Sequence, residues 1–247
     1  MDNVKFNAEY WGAKYDWSRA GEEWSARWGG SKAQWATTLY TRIGPWLPAP
    51  TVLEIATGYG RWSEFLIPLC DRFIGVDLSE PCVRACQARF SAIEKAQFFH
   101  NDGRSLGCVE DGTVDVVFSF DSLVHASLDV LSSYVPAILQ KLNRSGVAFI
   151  HHSNLAEVLD RAPNDNGRAD DVSCDMVRSL VESNGGKILI QEKIGWRNHE
   201  VCDDGITLFG RADAYGGCET VLLENPDFSR AAEYVKKYHS PYHLAKR

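Results

Sequence analysis

The chain has 247 residues and a formal net charge of −7, and 24% of its residues are charged. This length suits one large α/β domain with appendages, and the negative charge disfavours nucleic-acid binding, which depends on Lys and Arg contacts to phosphate. The chain has no apolar run long enough to span a membrane, no signal pattern in MDNVKFNAEY and no C-x-x-C spacing among its seven cysteines. We therefore expect a cytoplasmic protein without a disulfide framework, a membrane span or a nucleic-acid partner.

Residues 1–50 are unusually rich in tryptophan. Six of the eight tryptophans lie in this segment, together with several tyrosines and the pair Gly29-Gly30. The composition predicts two or three short helices that form an N-terminal helical cap. Burial of the aromatic side chains against the main domain is the simpler interpretation, and closure over a ligand as a lid is the alternative. Pro48 and Pro50 end the segment before the first strand.

Apolar runs and helical periodicities alternate from residue 51 to about residue 212. The predicted strands are Thr51–Ala56, Arg72–Asp77, Ala96–His100, Thr113–Phe120, Val147–His151, Lys187–Gln191 and Ile206–Gly210. The predicted helices cover Arg61–Cys70, 79–92, 128–142 and Val172–Glu182, with a helix stop at Asn143–Gly146 and a polar insertion at Arg161–Asp171. This alternation predicts an α/β fold with a Rossmann-like, seven-stranded, mostly parallel sheet and helices on both faces. Residues 213–247 are expected to form a C-terminal extension that packs on the core.

The stretch from Thr51 to Asp77 carries the strongest functional pattern: a strand, a glycine turn, a helix and a strand that ends in an acid. Gly58 and Gly60 allow the backbone to approach a ligand closely, and Asp77 can accept both hydroxyls of a ribose. The third glycine of a dinucleotide fingerprint and the Gly-Lys-Ser/Thr of a P-loop are both absent. Because Glu54 precedes the turn, the site suits a nucleoside cofactor with a cationic amino-acid part better than a pyrophosphate.

Acids and histidines cluster where the later strands end, which is where ligands bind in such sheets. Asp121 and His125 follow the fourth predicted strand, His151 and His152 end the fifth, and Asp204 precedes the last. Asp121, His152 and Asp204 form a plausible divalent-metal set, with Asp204 preferred to the aspartate before it because it lies nearer the strand. Without a metal, His125 or one of the adjacent histidines would remove a proton from the acceptor, a role that Asp121 also suits.

The segments EIATGYG, GVD, NDG and FSFDSLVH resemble the motifs of class I S-adenosylmethionine-dependent methyltransferases. One departure is that Ala56 replaces the first glycine of the G-x-G-x-G motif. The resemblance implies S-adenosylmethionine as cofactor, with Asp77 at the ribose, Asp102 at the adenine amino group and a last strand that is antiparallel. The cofactor-binding residues that it implies are Glu54, Ala56, Gly58, Gly60, Arg61, Asp77, Leu78, Asp102, Gly103 and Phe120.

The combination of YW…EEWS…WGG, GVDLSE, NDGRSL, SFDSLVHA and IHHSN looks similar to a bacterial group associated with methylation of sugars and polysaccharides. A mycobacterial type that O-methylates mannose oligosaccharides is of this general kind. The resemblance implies O-methylation of a hydroxyl on a sugar or polysaccharide precursor, with or without help from Mg²⁺ or another divalent cation. Two alternatives stay open: a methyltransferase for oxygen or nitrogen of another small molecule, and a non-catalytic module that binds S-adenosylmethionine.

Overall fold

A computed structural model describes residues 3–158, 167–197, 200–239 and 242 of the chain. The N-terminal segment is a succession of short helical turns rather than two or three regular helices. Its α-helices are α1 (Asn3–Glu9), α2 (Ser31–Gln34) and α3 (Tyr40–Ile43), its π-helical turns are Tyr10–Lys14 and Trp35–Leu39, and its 3-10 turns are Trp17–Arg19, Glu22–Trp28 and Gly44–Trp46. Gly21 and Gly29 bound the longest 3-10 turn with φ values of 84° and 93°, a left-handed conformation that glycine adopts without steric cost.

Eight strands form one sheet within the described residues. They are β1 (Ala49–Ile55), β2 (Cys70–Asp77), β3 (Ala96–His100), β4 (Val114–Ser119), β5 (Leu142–Ser153), β6 (Gly186–Ile194), β7 (Asp204–Arg211) and β8 (Val221–Asn225). Their order in the sheet is β3-β2-β1-β4-β5-β7-β6-β8. β7 runs antiparallel to both of its neighbours, and the other pairs are parallel. The predicted Rossmann-like, mostly parallel sheet is confirmed, whereas the predicted number of seven strands is wrong.

The additional strand, β8, lies at the sheet edge and pairs with β6 alone. Its first three residues, Val221, Leu222 and Leu223, are 44%, 57% and 46% exposed. Since both faces of this strand are exposed, it lacks the alternation of apolar and polar residues that predicts a half-buried strand. The sequence pattern therefore does not distinguish β8 from the rest of the C-terminal extension.

The remaining helices connect the strands. They are α4 (Ser63–Leu66), α5 (Glu80–Arg89), α6 (Leu128–Lys141), α7 (Leu155–Val158), α8 (Cys174–Ser183), α9 (Ala212–Tyr215) and α10 (Phe228–Tyr234), with 3-10 turns at Ile67–Leu69 and Leu123–His125 and a π-helical turn at Val235–His239. The predicted helix Arg61–Cys70 is shorter because Pro68 lacks an amide hydrogen and Cys70 already belongs to β2. The predicted helix stop Asn143–Gly146 lies inside β5, where the Asn143 amide donates to Asp115 Oδ1 at 2.7 Å. Of the predicted insertion, residues 161–166 lie outside the described part.

Two hydrophobic clusters cover the two faces of the sheet. One contains Trp28 and Trp35 of the N-terminal segment together with Phe228 of α10. The other contains the inner faces of α6 and α8, including Ile138 and Val177. In this three-layer arrangement the helices that connect the strands pack on the faces of the sheet and not on the carboxyl ends of the parallel strands, where ligands bind in such sheets. No helix among the described residues is both long and apolar enough to cross a lipid bilayer.

Candidate functional site at the carboxyl ends of the strands

A pocket of about 920 Å³, its open mouth included, lies at the carboxyl ends of β1 to β4. From the strand ends it is lined by Ala56, Gly58, Asp77, Gly103, Phe120 and Asp121. From the N-terminal segment it is lined by Asn3, Val4, Asn7, Trp11, Trp17 and Trp24. The wall is therefore mostly apolar with a few convergent polar groups, as is typical of small-molecule sites.

The turn after β1 has three residues with positive φ: Ala56 at 62°, Gly58 at 54° and Gly60 at 80°. A Cβ atom at Gly58 would lie 2.8 Å from the Trp17 ring, and one at Gly60 would lie 2.6 Å from the Phe90 ring. Both positions therefore require glycine for space as well as for conformation. Gly60 is not part of the pocket lining, so its contribution is to the shape of the turn.

Ala56 is a non-glycine residue in the left-handed region, which costs roughly 1–2 kcal/mol. We expect Ala56→Gly to raise the free energy of unfolding by about 0.5–1 kcal/mol, because the relief of strain exceeds the added entropy of the unfolded chain. Chemical denaturation measures this change. The matched control is Ala88→Gly on the exposed side of α5, which should lower the free energy by about 1 kcal/mol. Destabilisation by both substitutions would contradict the strain at Ala56.

Asp77 ends β2 with its carboxylate held by two backbone amides. Oδ1 accepts from the Ser79 N–H at 2.7 Å, and Oδ2 accepts from the Gly58 N–H at 2.8 Å. Burial raises the pKa of Asp77 to about 6, although both amides favour the charged form. Because each carboxylate oxygen can accept more than one hydrogen bond, the group can still receive two hydroxyls from the pocket.

Glu54 lies beneath the turn and outside the pocket lining. It is buried, accepts from the Ser63 hydroxyl at 2.5 Å, and its pKa is raised to about 8 by burial. The hydrogen bond between neutral Glu54 and Ser63 joins β1 to α4, the two elements that flank the glycine turn. The structure thus places this predicted cofactor residue one layer behind the pocket wall.

The loop after β3 places only one residue of the predicted pair Asp102-Gly103 on the pocket wall. Asp102 is exposed and accepts from the N–H groups of Arg104 and Ser105; burial alone would raise its pKa, but these amides outweigh burial and lower it. Gly103 lines the pocket beside Leu78. Asp102 therefore stabilises a turn and does not face the pocket, as expected of an aspartate before glycine.

Asn101 is a residue of this loop that sequence reasoning missed. Its amide group donates to Tyr134 Oη at 2.9 Å, and its Oδ1 accepts from the Gly103 N–H at 3.2 Å. Asn101 thereby fixes the position of the Gly103 backbone on the wall. The signal available in the sequence was an Asn-Asp-Gly turn, which does not say which side chain points inward.

Arg61 links the strand ends to the N-terminal segment. Its guanidinium donates to Asp121 Oδ2 at 2.8 Å and to Ser25 Oγ at 3.0 Å, and it lies over the rings of Trp24 and Trp62 at 5.0 and 4.4 Å. Arg61 is 6% exposed, so its charge is neutralised by Asp121 in a buried setting. Both residues line the pocket.

His125 presents an imidazole to the pocket wall. Its Nδ1 lies 2.9 Å from the Gly167 carbonyl oxygen, and because a carbonyl can only accept, Nδ1 carries the hydrogen and Nε2 the lone pair. The ring lies 5.1 Å from the Trp11 ring, and burial lowers the pKa of His125. The amides of Asn3 and Asn7 donate to the His125 carbonyl oxygen. His125 is therefore a neutral base candidate whose tautomer is set by Gly167.

His151 and His152 both lie outside the pocket lining. His151 Nδ1 accepts from the Asp121 N–H at 3.0 Å, and its Nε2 donates to Asp204 Oδ2 at 3.2 Å. His152 donates from Nδ1 to the Ser153 carbonyl oxygen and accepts at Nε2 from the Thr207 hydroxyl. Burial lowers the pKa of His152 to about 4, which keeps this imidazole neutral. His151 thus lies behind Asp121 as seen from the pocket, and the His152 side chain bonds to Thr207 and not to Asp121.

The predicted metal ligands Asp121, His152 and Asp204 do not come together. Within the described ranges, no group of three or more His, Cys, Asp or Glu side chains is placed to hold a metal ion. The physical reason is that arginines neutralise both acids: Arg61 pairs with Asp121, and Arg168 pairs with Asp204 at 2.8 Å. These residues do not fit a divalent cation, because each of the two carboxylates is already paired with a guanidinium.

The N-terminal segment crosses the carboxyl ends of β1 to β4. The tryptophan content of the segment does not predict this position. Val4 lies against Gly103, and the Trp17 ring stacks on Tyr59 at 4.7 Å with an interplanar angle of 3°. The indole of Trp11 donates to Asn7 Oδ1 at 3.1 Å. Other tryptophans of the segment belong to the core cluster, so the aromatic side chains of this segment divide between the pocket wall and the core.

Residues 52–146 match a family described as a methyltransferase domain. A comparison with curated proteins found no match. A solved structure from Pyrococcus horikoshii is 20% identical and aligns over 85% of this chain and 99% of its own, with a TM-score of 0.57. Magnesium protoporphyrin IX methyltransferase from Synechocystis, solved with bound S-adenosylhomocysteine, is 16% identical over 84% and 99% of the two chains, with a TM-score of 0.58.

An S-adenosylmethionine-dependent methyltransferase from Clostridium acetobutylicum is 16% identical and aligns over 83% of this chain and 96% of its own, with a TM-score of 0.56. At these identities the structural likeness shows the fold, and the family match covers β1 to β4, whose carboxyl ends form the pocket. The buried acid at the end of β2 and the glycine turn fit a nucleoside cofactor. Residues 52–146 are therefore similar to a methyltransferase domain, and the chain shares the fold of S-adenosylmethionine-dependent methyltransferases.

Proposed function

We propose that this protein transfers a methyl group from S-adenosylmethionine to a hydroxyl oxygen of a small uncharged acceptor, with a sugar or polysaccharide precursor favoured. The observation that carries the proposal is the neutral imidazole of His125 on the pocket wall, with its Nε2 lone pair available. A hydroxyl has a pKa far above 7, so it needs a base to become a nucleophile. His125 Nε2 takes this proton as the oxygen gains the methyl group.

The strand ends supply the cofactor contacts in this proposal. Asp77 would accept the ribose hydroxyls, and the backbone at Gly58 and Gly103 would lie against the amino-acid part and the adenine. When bound, S-adenosylmethionine supplies a methyl group that is already activated on a sulfonium. The chain therefore has to align the acceptor, exclude water and remove one proton.

The charge of the pocket wall supports an uncharged acceptor. Among the described residues that line it, Arg61 is the one Lys or Arg, and Asp121 neutralises it. The wall thus offers no uncompensated cation for a phosphate or carboxylate. Trp11 and Trp24 also line the pocket, and aromatic side chains suit contact with the C–H face of a sugar ring.

A methyl-transfer assay with methyl-labelled S-adenosylmethionine tests the proposal. The acceptor panel contains neutral sugars and mannose oligosaccharides, the same sugars as phosphates, phenols and primary amines. We expect label on hydroxyls of neutral acceptors, with sugars labelled fastest. Labelling confined to amines or to phosphorylated sugars would contradict it, and failure to bind S-adenosylmethionine in calorimetry would reject methyl transfer altogether.

We expect the N-terminal segment to act as a lid through the residues that line the pocket. Trypsin should cleave after Arg27 and Lys32, on either side of Gly29-Gly30, about tenfold more slowly with saturating S-adenosylhomocysteine, because ligand binding stabilises the closed segment. Cleavage after the exposed Lys236 and Lys237 is the internal control and should be unaffected. Equal rates with and without ligand at the N-terminal sites would leave the segment a packing role alone.

A further inference from the structure

We infer that Arg168 is a positioning residue for the methyl-transfer site: its ion pair with Asp204 holds two polar groups of the pocket wall, Asp121 and His125. The inference rests on the proposed function for the role of His125. Neither Arg168 nor Asp204 lines the pocket. Their effect would reach it through His151 on one side and through Gly167 on the other.

The ion pair is buried and extensively hydrogen-bonded. Arg168 Nε lies 2.8 and 3.0 Å from the two Asp204 oxygens, and its Nη2 donates to Oδ2 at 2.9 Å. The Asp204 side chain is 0% exposed and that of Arg168 is 5% exposed. A buried ion pair adds little net stability compared with apolar residues of the same volume, so its stability alone does not explain its presence.

The first connection runs to Asp121. Asp204 Oδ2 accepts from His151 Nε2–H at 3.2 Å, which leaves the Nδ1 lone pair to accept from the Asp121 N–H at 3.0 Å. Asp121 has a φ of 61°, a strained conformation for a non-glycine residue. The imidazole therefore holds a backbone turn that would otherwise relax, and this turn aims the Asp121 carboxylate at Arg61 on the pocket wall.

The second connection runs to His125. Arg168 follows Gly167, whose carbonyl oxygen accepts from His125 Nδ1–H. The next residue, Ala169, donates its N–H to the Val124 carbonyl oxygen at 2.9 Å. Anchoring of the Arg168 side chain on β7 thus keeps the Gly167 carbonyl against the imidazole, and that contact decides which nitrogen of His125 faces the pocket as a base.

The test uses Arg168→Gln and the milder Arg168→Lys, which keeps the charge but loses the planar fork. We expect kcat to fall about tenfold to a hundredfold in Arg168→Gln and less in Arg168→Lys, since a positioned base contributes about 10²–10⁴. The KM for S-adenosylmethionine should stay within about twofold. Long-range ¹H–¹⁵N spectra should show His125 change from the single Nδ1–H tautomer to a mixture, which does not depend on activity.

Arg42→Gln is the matched control. It removes a two-bond ion pair of similar geometry, Arg42 with Glu192 at 2.7 and 2.8 Å, that does not touch the pocket. This variant should lose melting temperature while kcat and the His125 signals stay unchanged. A single His125 tautomer in Arg168→Gln would overturn the inference. If Arg168→Gln does not fold, a single His125 tautomer in Arg168→Lys would overturn it. If the wild-type protein methylates no acceptor, the proposed function fails, and the tautomer measurement still decides the positioning.

Discussion

His125→Gln is expected to lower kcat by about 10²–10⁴-fold, the range over which a positioned general base contributes. Glutamine keeps a side chain of similar reach that can donate to the Gly167 carbonyl oxygen, but its amide cannot take a proton at neutral pH. The affinity for S-adenosylmethionine should change by less than about twofold, because this residue acts on the acceptor. A large fall in kcat with little change in cofactor KM is the kinetic pattern of an interaction made in the transition state.

The pH profile of the wild-type enzyme gives a second measurement on the same residue. Since neutral His125 is the base, kcat should fall as the pH falls through its pKa. Burial holds that pKa below the usual 6.5, so the acidic limb should lie below pH 6.5. His239→Gln, on an exposed C-terminal turn, is the control and should leave both quantities unchanged. An unaltered kcat in His125→Gln would assign proton removal to another group.

The part of the site that sequence reasoning located well is local in the chain. Gly58 lies in the turn of one strand-turn-helix-strand unit and Asp77 ends that unit, and an apolar strand buried on both faces leaves little choice about where its neighbours lie. The Asp77 carboxylate and the Gly58 amide indeed meet at 2.8 Å. Spacing along the chain is sufficient there because Asp77 ends β2 and Gly58 follows the end of β1, the adjacent parallel strand.

The part that sequence reasoning misplaced depends on contacts between distant segments. The sequence predicts that Asp121, His152 and Asp204 lie near strand ends, but it does not predict which partner each side chain contacts. Arg168 comes from a polar segment with no periodicity, so nothing in the sequence indicated that its guanidinium would neutralise Asp204. Likewise, the alternation of side chains along a strand predicts that adjacent histidines face opposite sides. It does not predict that the Thr207 hydroxyl donates a hydrogen bond to His152.

Two of the three strained residues on the pocket wall lie at strand ends, and the third is Ala20 of the N-terminal segment. Ala56 follows β1 and Asp121 follows β4, and both have positive φ without being glycine. Strain of this kind persists where the surroundings over-determine the backbone, and it clusters at functional sites. Their hydrogen bonds agree with this: the Ala56 carbonyl accepts from the Ser122 hydroxyl at 3.1 Å, and His151 accepts from the Asp121 amide. The two turns are thus bonded to each other and to the sheet, which gives the pocket a rigid floor.

Asp77→Ala is expected to weaken S-adenosylhomocysteine binding at least tenfold, and about a hundredfold or more if both ribose hydroxyls bond this carboxylate. A hydrogen bond to a charged acceptor contributes roughly 1.5–3 kcal/mol, and 1.4 kcal/mol is a factor of ten in affinity. The substitution also leaves the Gly58 and Ser79 amides without their acceptor, so the melting temperature should fall. Asp77→Asn keeps one acceptor oxygen and should lie between the wild type and Asp77→Ala in both measurements.

Isothermal calorimetry separates the ribose role of Asp77 from a general loss of charge. Asp102→Ala removes an acid that the structure places in an exposed turn, so its cofactor affinity should stay within about threefold of the wild type. Equal losses in the two variants would return Asp102 to the adenine role that the family resemblance implies. Unchanged binding in Asp77→Ala would remove the ribose role.

The raised pKa of Asp77 adds a pH dependence with a definite sign. Burial raises this pKa to about 6 in the free protein, so protonation below pH 6 removes an acceptor for the ribose, and cofactor affinity should fall as the pH falls through about 6. Hydroxyl donors favour the charged carboxylate, so binding near pH 6 should release protons. Titrations in buffers of different ionisation enthalpy measure that release, and Asp77→Asn should abolish it. Proton uptake on binding, or the same release in Asp77→Asn, would show that another group titrates with the cofactor.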